Sequence, residues 1–208
     1  MHDDLALNQP GESLRQQSEA IQEAHPIATF VLRLFGEHSQ ERAWRRGAEG
    51  ERAVAERLRS LGSSWRVLHG VPVGSGATDI DHLVIGPGGV FSLNTKNHLG
   101  GRVKVTSKAV YVNGSYQPYL AKSRGEGKRA TKLLSTALRR HTPVQSVIVV
   151  LASDFTVQAQ PDDVPVIGRN RIAKWLSAQP AVLTAEDVER IYTVARRREV
   201  WVPTGPEG

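Results

Sequence analysis

The chain has no cysteine. Disulfides and thiolate metal sites are therefore excluded, and a reducing interior is the natural setting. The amino terminus, Met1-His2-Asp3-Asp4, lacks the basic and then apolar character of a secretory leader. No apolar run approaches the ~18 residues of a membrane-spanning helix. Pro26 to Phe35 is apolar, but it is short and interrupted by Arg33. A cytoplasmic protein with no membrane partner is the expectation. Internal repeats are absent too. Acids are scarce in one region: Arg102 to Arg140 holds ten Lys or Arg and one acid, Glu126. Met1 to His25 is the reverse, with five acids and one arginine, Arg15.

The net charge is +6, and its concentration matters more than its size. A basic block implies a polyanionic partner. The competing reading is a solvated helix surface. Arginine outnumbers lysine, in keeping with GC-rich bacterial coding. With 208 residues, 39% hydrophobic and 23% charged, the chain suits one core domain with flanking segments, or two small domains. We divide it into a helical or partly disordered extension (1–45), a core (46–155) and a C-terminal strand with helices (156–208). The first forty or so residues look peripheral. Ile27 to Phe35 either packs on its own domain or docks a protein partner.

A helix is predicted from Ala48 to Leu61, with Val54, Leu58 and Leu61 on one stripe. Glu51 extends that stripe backward. It is either an inward acid needing a partner or metal, or a first-turn acid favouring the helix dipole. Trp65 to Val71 reads as a strand, followed by a Gly74–Ala77 loop. Asp81 to Ile85 and Val90 to Lys96 read as a hairpin around Gly86-Pro87-Gly88-Gly89, a turn lacking the lysine of a phosphate loop. Short strands follow at Arg102–Thr106 and Ala109–Asn113. A second helix runs from Pro118 to about Arg140, its first half weakened by Gly125 and Gly127, each by ~1 kcal/mol, and so bent or mobile. Val144 to Leu151 is a buried strand parallel to a neighbour. Val164 to Ile167 is an edge strand because of its proline. Short helices near Arg171–Ser177 and Ala185–Arg197 complete an α/β fold with a mixed central sheet flanked by helices.

The hairpin carries the chemistry. With Ile85 opposite Val90, the alternation of a strand places Leu83 across from Ser92, Asp81 across from Asn94 and Asp79 across from Lys96. An acid, an amide and a lysine then share one face, which suits a metal ion and a phosphate. Oxygen ligands suit Mg²⁺ or Mn²⁺, and Mg²⁺ needs only one or two protein carboxylates. Asp81 and Glu51 are the candidates. Asp79 has an ion pair with Lys96 as its simplest role. His69, His82 and His98 show no ligand spacing, and His82 faces away from Asp81 as a core or hydrogen-bonded histidine. Asn97 either caps the strand end or touches substrate. Lys122, Arg124, Lys128 and Lys132 are candidate nucleic-acid contacts, the last three at successive helical turns.

Several motifs in order resemble the nuclease-related domain, NERD. They are Gly47-Ala48-Glu49-Gly50-Glu51, Val67-Leu68-His69-Gly70-Val71, Ile80 to Phe91, Thr95-Lys96-Asn97, and Gly100 or Gly101. The resemblance implies a restriction-endonuclease-like core of the PD-(D/E)xK superfamily and Mg²⁺-dependent hydrolysis of phosphodiester bonds in DNA. It implies Glu51 as the helix acid, Asp81 as the central metal ligand and Lys96 as the catalytic lysine. The family's second carboxylate belongs at Asn94, which offers a metal only a neutral carbonyl oxygen. The Thr95 side chain points away, although its backbone carbonyl could reach the metal. Two functions follow: a nuclease using Glu51, Asp81, Asn94 and Lys96, or a catalytically weak or inactive nucleic-acid-binding module of the same fold.

Overall fold

A computed structural model describes residues 3–11, 37–74 and 79–202, excluding the side chains of 37–44. The expectations for Gly11 to Ala24 beyond Gly11 itself, for Ile27–Phe35 and its protein partner, for most of the Gly74–Ala77 loop, and for the tail after Val202 lie outside the described residues.

Helix α1 spans Glu37–Leu58. It starts well before the predicted Ala48, so Glu51 lies in its interior. The first-turn dipole reading of Glu51 is thereby removed. Strands β1 (Arg66–Pro72), β2 (Asp79–Gly86) and β3 (Gly89–Val105) follow, antiparallel in succession. The two short strands expected at Arg102–Thr106 and Ala109–Asn113 resolve differently. The first is the far half of the 17-residue β3, and the second is β4 (Val110–Val112). β5 (Ser115–Gln117) pairs back on β4 through Asn113-Gly114. Both turn residues have positive φ, 50° and 85°, as a tight two-residue hairpin requires.

Helix α2 spans Tyr119–Leu138 and is continuous through its glycines. Gly127 has a packing reason. A Cβ there would sit 2.1 Å from Ser146 Oγ, so only glycine lets α2 lie this close to the strand beneath. That strand is β6 (Val144–Val157), which runs parallel to β3 on one side and to β7 (Val166–Gly168) on the other. The parallel strand and the β7 edge strand after Pro165 are therefore as predicted. Helices α3 (Ile172–Ser177) and α4 (Ala185–Ala195) follow.

The described sheet has seven strands and covers both faces with helices. On one face Leu83, Ile85 and Val90 pack against Ala130 and Leu134 of α2 and Val188 and Ile191 of α4. On the other, Val84, Phe91, Leu93 and Val149 pack against Val54 and Leu58 of α1 and Ile172 and Leu176 of α3. The alternation along β2 and β3 thus sorts odd and even residues to opposite layers. This is the mixed α/β core expected for a restriction-endonuclease-like fold.

Residues 3–11 belong to this core rather than to its periphery. Leu5 is fully buried beside Ala195 and Trp201. The Asp4 carboxylate binds the Arg196 guanidinium through two hydrogen bonds, and the Leu5 amide donates to the Arg196 carbonyl at 2.8 Å. The Asn8 side chain donates to the carbonyls of His69 and Gly70.

Candidate active site

The hairpin register is as expected at its closed end, with Ile85 opposite Val90 and Leu83 opposite Ser92. The β2–β3 ladder then stops at His82 and Leu93. β2 continues alongside β1 as far as Asp79 opposite Pro72, and β3 continues alongside β6. The two strands part, so Asp81–Asn94 and Asp79–Lys96 are not ladder pairs. Instead the Asp81 carboxylate reaches across the fork and accepts the Thr95 N–H at 2.5 Å.

Glu51 arrives from α1. The helix can approach β3 because residue 50 is glycine: a Cβ there would lie 2.9 Å from Asn97 Cβ and 3.2 Å from Thr95 Cγ2. Asn97 reinforces the contact by donating its side-chain amide to the Arg46 carbonyl at 2.7 Å. It thereby pins α1 to β3, and its Oδ1 accepts the Leu99 N–H at 3.2 Å, the local cap expected of it. Glu51 is buried, and its Oε2 accepts the Gly11 N–H at 2.9 Å. The inward reading of Glu51 is thus the structural one.

Lys96 Nζ donates to Asn94 Oδ1 and lies 5.3 Å from the centroid of the Tyr119 ring. Tyr119 in turn stacks on His98, with 2.9 Å between its hydroxyl and His98 Nε2. Asn94 Nδ2 donates to Glu126 Oε2 at 2.9 Å. Tyr119 and Glu126 were not singled out from the sequence. The available signal for Glu126 was its being the lone acid in a basic block.

Burial governs the charges here. It pushes the Glu51 carboxyl up to about 8, helped by the charges of Asp81 and Asp79 and opposed by the Gly11 amide and Lys96. Asp81 is pushed up to about 6 by burial, against the pull of Lys96 and the Thr95 amide and with a further push from Glu126. Burial likewise raises Glu126, against its bond to Asn94 and the charges of Lys96, Arg129 and Lys122. The Thr95 hydroxyl is buried without a hydrogen-bond partner. His82 is fully buried on the other layer, its Nδ1 2.8 Å from that of His69. Desolvation drives both imidazoles down, His69 to about 4, so the pair is neutral.

The donors are chemically suited to a hard cation. They are all oxygens, and the two carboxyls carry a burial and repulsion penalty that a divalent ion would remove. Among the described residues, no three His, Asp or Glu side chains form a metal-holding group by themselves. The carboxyls of Asp81 and Glu51 would need the Asn94 or Thr95 carbonyl, or water, to complete a coordination shell.

The basic row on α2 divides. Arg124 is bound to Asp163 through Nε at 2.5 Å and Nη2 at 2.8 Å. Lys128 lies beside Arg124 and Asp163, at a cavity of about 280 Å³. Lys122 and Arg129 instead act on Glu126. Lys122, Lys128 and Lys132 are all exposed. A separate cavity of about 1060 Å³ runs along β6 and β7, with Arg169, Arg171 and Lys174 on its wall and none of the fork residues.

A parallel β3–β6 core, a helix acid, and a strand carboxylate beside a lysine define a protein of the restriction-endonuclease-like, PD-(D/E)xK class. Residues 46–151 match the nuclease-related domain, NERD, over just over half of the chain, and the protein belongs to that family. No curated protein matches it. No solved structure does either. Among the described residues, no helix is long and apolar enough to cross a membrane.

Proposed function

We propose that this chain is a metal-dependent phosphodiesterase acting on nucleic acid, DNA foremost. The observation that carries the reading is the convergence at the β2–β3 fork. A buried helix acid, Glu51, and a strand acid, Asp81, act on each other there beside the ammonium of Lys96. Asp81 and Glu51 would hold Mg²⁺ or Mn²⁺, with the Thr95 backbone carbonyl and the remaining lone pair of Asn94 Oδ1 as neutral donors. When bound, the ion would neutralise charge on the phosphate and acidify a water.

The protein's own groups are preorganised for the remaining tasks. The Thr95 amide fixes the orientation of Asp81. The Gly11 amide does the same for Glu51. Lys96, held between Asn94 and the Tyr119 ring, orients the attacking water and offsets developing negative charge. Lys122, Lys128 and Lys132 are exposed and contact phosphates, whereas Arg124 is largely committed to Asp163, which Lys128 also faces.

The test is incubation of the purified protein with linear, circular and single-stranded DNA and Mg²⁺ or Mn²⁺, beside Asp81→Ala and Lys96→Ala. Ion-dependent cleavage lost in both variants is expected. Undiminished cleavage by Lys96→Ala ends the proposal.

A second reading is a nucleic-acid-binding module with little or no turnover. The observation favouring it is the amide of Asn94 at the family's carboxylate position, with both its oxygen and its nitrogen already engaged. It predicts binding without cleavage. With about six phosphates neutralised, log affinity should fall against log salt with a slope near −5.

A further inference from the structure

Asn94 departs from the family pattern, and its partner comes from another element. Its Oδ1 accepts from the Lys96 ammonium, and its Nδ2 donates to Glu126 at 2.9 Å. That arrangement fixes the amide orientation, because an ammonium only donates and an ionised carboxylate only accepts. An acid at position 94 would place a second carboxylate at hydrogen-bond distance from Glu126. Two like charges that close repel, and neither offers the other a proton to accept. An amide on β3 and an acid on α2 are therefore complementary, and two acids are not.

The placement of Glu126 is built rather than incidental. It is half-buried on the inward side of α2 and is the one acid between Arg102 and Arg140. Its neighbour Gly127 permits the close approach of α2 to β6 at Ser146. The Ser146 hydroxyl locks that contact by donating to the Ser123 carbonyl at 2.7 Å. Glu126 is thereby held next to Asn94, close enough for its charge to act on Asp81.

We propose that Glu126 supplies, from helix α2, the negative charge toward a divalent cation that position 94 does not carry. The proposal rests on the nuclease reading above. Because Glu126, Asp81 and Glu51 do not form a closed cluster, its action is by charge and through water that Mg²⁺-like ions retain. It is a positioning residue, not a group that touches the reacting atoms.

Isothermal titration of the full chain with Mn²⁺ at pH 7.5 tests it without reference to cleavage. Glu126→Gln keeps an oxygen able to accept from Asn94, so a merely structural role survives the change. Its Mn²⁺ affinity should nevertheless fall by roughly 10-fold or more. Restoring a charge at the strand, in the double variant Asn94→Asp with Glu126→Gln, should return affinity to near the original value. Melting of each variant without added ion controls for folding. Equal affinities for the original chain and Glu126→Gln overturn the proposal. A double variant as weak as Glu126→Gln does so too. If the original chain binds no Mn²⁺, or Asp81→Asn binds it equally well, the nuclease reading itself fails and this inference with it.

Discussion

At the Gly86–Gly89 end of the β2–β3 hairpin, Val84, Ile85, Val90 and Phe91 are buried and paired across the ladder. Four residues further along the same two strands the ladder has ended, and Asp81, Asn94 and Lys96 share the opened space with Glu51 and Glu126. The closed end converts apolar alternation into stability. The open end holds charges whose burial is costly on their own. The same chain segment thus divides its labour: packing at one end, and at the other the charged groups on which the proposed chemistry rests.

The division can be broken from either side. The largest expected effect is at the open end. Lys96→Ala should lower cleavage by roughly 10²–10⁴-fold, the range for losing a positioned catalytic group, while the melting temperature barely moves. Steady-state cleavage and thermal melts of one preparation read both. At the closed end the pattern should invert. Leu83→Ala removes a fully buried side chain and should cost ~2–5 kcal/mol of stability, measured by urea unfolding, with the active fraction retaining its turnover. A comparable loss of turnover per folded molecule in both variants would erase the distinction.

Acidity gives a sharper separation. The carboxyls of Glu51 and Asp81 are raised in the folded state to about 8 and about 6. Below about pH 6.5 the neutral His69 and His82 hold fewer protons folded than unfolded and offset this excess, so the folded chain binds more protons than the unfolded chain chiefly between about pH 6.5 and pH 8. Its stability without divalent ions should fall as pH rises through that window. Each kcal/mol lost lowers the melting temperature by roughly 2–4 °C for a chain of this size. Chelator-treated melts from pH 6.5 to pH 8 should show the decline, and Mn²⁺ at pH 8 should reverse it. A pH dependence unchanged in a Glu51→Gln, Asp81→Asn double variant would place its origin elsewhere.

The smallest effects concern the basic row. Removing Lys122 or Lys132 should reduce the salt slope of DNA binding by ~1 each. Arg124→Ala should change it little, because Asp163 already pairs that guanidinium. Fluorescence anisotropy across a salt series distinguishes them. A larger effect from Arg124→Ala than from Lys122→Ala would mean that DNA competes successfully for the Asp163 partner.

Much of the fold was legible because period-2 and period-3.6 patterns report which face is buried. The hairpin register near its turn, the apolar stripe of Val54 and Leu58, the parallel β6 and the β7 edge all follow from such local signals. The start of α1 was not legible, since Glu37 to Arg46 carries few apolar residues to mark a face. The Asn113-Gly114 hairpin was legible in principle, because Asn-Gly is a strong turn signal. Gly125 and Gly127 were read for their cost alone. Only the neighbouring strand explains Gly127, through the space it leaves for Ser146. Glu51, Asp81 and Lys96 could be named from spacing and family resemblance, whereas Tyr119 and Glu126 could not. They meet the site across long stretches of sequence.

The order of residues by itself determined which strands alternate, where the hairpin turns and which acid and lysine lie near its end. Those properties are local, set by the pleat of a strand and the pitch of a helix. Tertiary structure alone decided where β2 and β3 separate, that the Gly11 amide would meet Glu51, and that α2 would bring an acid to Asn94. These depend on packing between elements distant in the chain. No local periodicity encodes the distance between two surfaces that close only when the whole sheet is covered.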